Sequence, residues 1–208
     1  EEAIQAFNKA ISIKPDFTEA YRNLGISLKG ITFNKPNRDL QKTIISLINK
    51  EHVKPRSIFK AAISLLNFEN SLNLLRESPE QPRSAATLSK ELKQLSELPL
   101  FLKLLELTPI ADAKIEKGLS KIRRDILLTL AEIKTTNAIS LFQSALASQC
   151  YLNEYIYSQS DEEAVALTSL EDKVKRTLAD GGQPKIKEIL CLASFKALNK
   201  YEWCPSLA

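Results

Sequence analysis

Apolar residues recur along this chain at three-and-four spacing, and their groups predict helices from end to end. Residues 1–13 set Ala3, Ile4, Phe7, Ala10 and Ile11 at helical intervals. Pro15 ends that helix, because it lacks a backbone donor and restricts Lys14. A second helix is expected after Asp16-Phe17, with Ala20, Tyr21, Leu24, Gly25 and Leu28 on one face and Gly25 small enough to admit a neighbouring helix. Asn34-Lys35-Pro36-Asn37 interrupts the pattern, and Leu40, Ile44, Ile45, Leu47 and Ile48 make the next helix. Pro55 suits the first position of a fourth, where its missing N–H has no partner to lose; Ile58, Phe59, Ala62, Ile63, Leu65 and Leu66 follow. Phe68 to Arg76 continues as a short helix.

Residues 78–84 contain Pro79 and Pro82 and no large apolar side chain, so they are expected to be a linker between residues 1–77 and a helical bundle at 85–208. Ser84 and Asp112 are suited to cap helices that carry Leu88, Leu92 and Leu95, and then Ile115, Leu119, Ile122, Ile126 and Leu130. Between them lies a helix with Leu98, Phe101, Leu102, Leu104 and Leu105, broken at Thr108-Pro109. The helix after Asp112 is expected to run to about Lys134, with Arg123-Arg124 on a solvated face. A long helix over 137–157 would align Ile139, Phe142, Leu146, Cys150, Asn153 and Tyr157. Ser160 and Glu163 have capping-box spacing, Gly181-Gly182 ends the helix so begun, and a last helix spans Pro184 to Leu198. The aromatic tail Tyr201 to Trp203 is expected to dock onto sequence outside these residues. The fold class is all-α.

Composition agrees, since only five of 208 residues are glycine and helix-favouring Leu, Ala, Ile, Lys and Glu are abundant. The net charge of +4 is uneven: residues 1–60 hold 11 Lys/Arg against 6 Asp/Glu, leaving 18 against 19 for the remainder. No basic run is interleaved with aromatics, so nucleic acid is not the expected partner. Apolar runs such as Ile126 to Ala131 are far too short to cross a bilayer, and the acidic opening Glu1-Glu2-Ala3 is unlike a signal peptide. The absence of methionine, even at position 1, points to a piece of a longer chain.

Chemistry-bearing residues are sparse. Cys150, Cys191 and Cys204 form no C-x-x-C pair and His52 is the one imidazole, so no metal site is expected; the cysteines read as reduced thiols of a cytoplasmic protein. His52 reads as an exposed turn residue. Without a glycine-rich phosphate loop or a partnered nucleophile, the residues encode no cofactor pocket and no catalytic group. Gln149, Asn153 and Glu154, set among large side chains, form a candidate polar network or domain contact, because a buried amide demands partners.

The opening residues, E-E-A-I-Q-A-F-N-K-A-I-S-I-K-P-D followed by E-A-Y-R-N-L-G-I-S-L, resemble the tetratricopeptide repeat. The repeat's small-aromatic-small triplet falls on Ala3, Phe7 and Ala10, its terminal proline on Pro15, and the next aromatic, leucine and glycine on Tyr21, Leu24 and Gly25. The resemblance puts the repeat boundary between Phe17 and Thr18, makes residues 1–77 the end of a repeat array with divergent capping helices, and implies a protein or peptide partner. Arg22, Asn23 and Lys29 would face an extended peptide, with Asn23 matching the asparagine that grips its backbone; Ile26 departs from repeats that clamp a peptide carboxylate.

Over residues 31–77 and 98–208 the chain also resembles a bacterial family in which such repeats precede a helical region and an S-adenosylmethionine-dependent methyltransferase domain. The stretches that carry this are 23–50, then K-P-R-S-I-F-K-A-A-I-S-L-L-N-F, then S-Q-C-Y-L-N-E-Y. The resemblance implies a non-catalytic scaffold that presents a partner or substrate to a downstream domain of the same chain. The alternative is a stand-alone adaptor that binds an extended peptide and has no enzymatic activity.

Overall fold

A computed structural model describes residues 2–207, and among them every regular element is helical. The N-terminal part contains α1 (Glu2–Ile13), α2 (Thr18–Ser27), α3 (Arg38–Asn49), α4 (Pro55–Leu66) and α5 (Asn70–Arg76). Then come α6 (Ala85–Ser96), α7 (Pro99–Leu107), α8 (Ala113–Thr129), α9 (Asn137–Leu152), α10 (Asp161–Ala179) and α11 (Ile186–Ala193), followed by 3₁₀ turns at Leu198–Lys200 and Cys204–Ser206.

Local chemistry sets the helix starts. Side chains of Asn37, Ser84, Asp112 and Thr136 accept hydrogen bonds from otherwise orphaned first-turn N–H groups of α3, α6, α8 and α9. Ser160 and Glu163 satisfy each other's backbone donors in a full capping box. Pro55 and Pro99 occupy the first turns of α4 and α7. Gly181, at φ 76°, turns the chain out of α10.

The helices share one core, continuous from Ile4 to Trp203. α1 packs on α2, while α7 packs against α3 and α4 on the N-terminal side and against α9 on the other. α9 is central to the second half and also meets α6 and α11. α5 packs on α8 with almost no clearance: a Cβ built at Gly118 would lie 2.3 Å from the Leu75 carbonyl oxygen. Gly25 is less confined, since its Cβ would meet Val53 no closer than 3.4 Å.

Residues 78–84 join α5 to α6 without a helix and are tied to α8 by polar contacts. Lys121 Nζ donates to the Ser78 carbonyl at 2.6 Å, and Arg124 donates to that of Glu80 at 3.0 Å. Glu80 pairs with Lys117 at 2.8 Å and Lys121 at 3.1 Å, and these lysines hold its carboxyl below the ordinary range. Arg83 is buried, with its guanidinium 2.6 Å from both Asp125 and Glu91.

Several expected boundaries shift. α9 stops at Leu152 rather than reaching Tyr157, because Glu154 and Tyr155 take left-handed φ values of 57° and 58° and the Tyr155 N–H closes onto the Cys150 carbonyl at 2.8 Å. α8 ends at Thr129, and the Lys187 ammonium donates to the carbonyls of Leu130 and Ile133, each at 2.6 Å, in the turn where the helix was expected to continue. α11 begins at Ile186, where the Lys185 N–H donates to the Glu188 carboxylate at 2.9 Å. Tyr201 and Trp203 need no outside surface: their rings stack at 4.7 Å, both are buried, and the Tyr201 hydroxyl donates to the Leu192 carbonyl at 3.2 Å.

Candidate functional site

The α1–α2 hairpin positions the predicted peptide-facing residues. Ala20, Tyr21, Leu24 and Gly25 bury one side of α2, and the helical period turns Arg22 and Ile26 outward, Ile26 with 58 % of its surface exposed. Asn23 is partly covered and Lys29, just beyond the helix, is exposed. The hairpin turn is stiffened from both sides. The Tyr21 hydroxyl donates to the Pro15 carbonyl at 3.2 Å, the Lys50 ammonium reaches the same oxygen, and that ammonium sits 4.8 Å from the Tyr21 ring centre. His52 is only partly exposed, its ring 5.4 Å from that of Tyr21, so it packs against the hairpin rather than standing free.

The second predicted cluster divides. Gln149 is fully buried; with its amide nitrogen toward α7 it donates to the carbonyls of Thr108 at 3.0 Å and Leu105 at 3.3 Å, and its oxygen accepts from the Ile110 N–H at 3.1 Å. It thereby satisfies backbone groups at the C-terminal end of α7. Asn153 is buried beside the Tyr157 hydroxyl, and Glu154 points to solvent. The structure does not bring the three into one network.

Arg123 overturns the expectation of a solvated arginine pair. It is 2 % exposed, with Phe195 4.2 Å and Tyr157 5.4 Å from its guanidinium carbon, and it donates to the Ser158 carbonyl at 2.8 Å and reaches Glu163 at 3.5 Å. One cation therefore gathers the 153–160 turn, α10 and the residues after α11. A polar residue at a core-facing α8 position was the available sign, since Arg123 directly follows the buried Ile122 and precedes Ile126 by three. Arg124, its neighbour, is also largely covered and pairs with Asp125 at 2.8 Å.

Reactivity is suppressed at the two buried thiols: desolvation raises Cys150 and Cys191 to about 12, against a smaller opposing pull from Arg123, so neither ionises near neutrality. Among the described residues no group of three or more His, Cys, Asp or Glu is placed to hold a metal ion. Among the described residues no helix is long and apolar enough to cross a membrane.

No curated protein and no solved structure matches this chain. Residues 1–30, which span α1, the Pro15 turn and α2, match the family model of the TPR repeat.

Proposed function

We propose that this chain binds an extended peptide on the outward face of α2, with residues 1–77 as the binding part and 85–208 as a helical scaffold behind it. The observation that carries the reading is the exposure of Arg22, Ile26 and Lys29, with Asn23 beside them, on a hairpin that matches the TPR repeat. A side-chain amide such as that of Asn23 both donates to and accepts from a peptide backbone, which suits sequence-tolerant capture. Peptides selected from a random display library against the intact chain provide the probe. Calorimetric titration with such a peptide should show Asn23→Ala weakening binding by about 1 kcal/mol, the worth of one hydrogen bond. An unchanged affinity removes Asn23 from the site.

The resemblance of residues 31–77 and 98–208 supports a more specific reading, in which the module presents its partner to an S-adenosylmethionine-dependent methyltransferase domain of the same polypeptide in a bacterial cytoplasm. Reading the gene past codon 208 tests it. A strand followed by an acidic-x-Gly-x-Gly loop favours the presenting role, and a stop codon leaves the adaptor alone.

A further inference from the structure

We propose that the groove between α1 and α3 is a second binding surface and that it takes an acidic stretch of extended peptide. The proposal rests on the reading of the chain as an interaction module, but the groove shares no residue with the α2 face.

The groove has a volume of about 660 Å³, within the usual range for ligand sites. Ile4, Phe33 and Leu40 supply an apolar floor, and amide or hydroxyl side chains, among them Gln5, Asn8 and Thr43, supply hydrogen-bonding walls. Its charge is one-sided. Lys9, Lys35 and Lys42 line it against a single carboxylate, Asp39, which pairs with Lys42 at 3.4 Å. Lys9 and Lys35 pair with no carboxylate among the described residues, and both are exposed. A net positive, solvent-open groove favours an acidic occupant by charge complementarity.

Its walls are held before any ligand arrives. The Phe33 N–H donates to the buried Ser64 hydroxyl at 2.9 Å, fixing the loop to α4, and the Thr43 hydroxyl bonds to the Asn8 side chain across the gap. The α1 wall from Ile4 to Ser12 is about 12 Å long at the helical rise, enough for about four residues of extended chain.

Fluorescence anisotropy of the full chain tests this with a labelled peptide of alternating Glu and Ser, its Gln counterpart and an oligouridylate of equal length. The acidic peptide should bind and the Gln peptide should bind more weakly. Lys9→Glu with Lys35→Glu should weaken the acidic peptide at least about tenfold, and Lys60→Glu with Lys90→Glu, an equal charge change at exposed lysines outside both surfaces, should leave it unchanged. Equal binding of the Gln peptide, or no binding of the acidic one, overturns the proposal. Tighter binding of the oligouridylate does so too, by making the groove a nucleic-acid surface. Loss of binding through Arg22→Glu with Asn23→Ala but not through the Lys9 and Lys35 substitutions overturns the groove while leaving the α2 face standing.

Discussion

Gly118 and Gly25 both stand on buried helix faces, yet only one marks a close approach. An added methyl at Gly118 would strike the Leu75 carbonyl and side chain, forcing α5 away from α8, so Gly118→Ala should cost about 3 kcal/mol in urea unfolding. Gly25→Ala should lie within about 1 kcal/mol of the parent, because the space is sufficient and alanine favours the helix. Arg123 is the other residue on which much depends. Replacing it with alanine leaves Glu163 buried without its cation and should lower stability by about 3–5 kcal/mol, measured as a shift in the urea midpoint at constant slope. The Gly118 dependence was not legible in the sequence, and Arg123 showed only as a charge at a core-facing position of α8. Gly25 stood in a recognisable pattern and drew attention, whereas Gly118 and Arg123 owe their roles to residues such as Leu75, Glu163 and Phe195, far away along the chain.

Among the elements, starts were legible and ends less so. Ser84, Asp112 and the Ser160–Glu163 box act on N–H groups within three residues, so their chemistry is local and appears in the sequence itself. The end of α9 depends on Glu154 and Tyr155 entering left-handed conformation, which no glycine announces. Gln149 shows how a helix end is then stabilised by tertiary contact: Gln149→Ala would orphan two carbonyls and one N–H beside α7 and open a cavity, at a cost of about 2–4 kcal/mol by thermal or urea unfolding. α11 contributes a pH dependence. Burial opposes ionisation of Glu188, but the Lys173 ammonium at 2.7 Å and the Lys185 N–H outweigh it and hold the carboxyl below its ordinary 4.5. A depressed folded pKa contributes stability that is complete above the unfolded value and lost as pH falls through the folded one. The urea midpoint should therefore decline below about pH 4.5, with a shallower decline in Glu188→Gln, and identical acid limbs would remove this group as the cause.

At the scale of the molecule, the α1–α2 hairpin meets α3, and α7 and α9 join α3 and α4 to the later helices through one core, so the surfaces of α1, α2 and α3 are presented on a supported framework. The outward face of α2 could be read from periodicity alone. The α1–α3 groove could not, because its walls come from segments joined only in the fold, as the contact between Asn8 and Thr43 shows across 35 positions. Hydrogen–deuterium exchange of the intact chain with and without a library-selected peptide locates binding directly. Protection confined to residues 2–43 is the predicted result; protection confined to residues 85–207, or none at saturating peptide, would contradict the account of this chain as a module that recognises peptides through its repeat end.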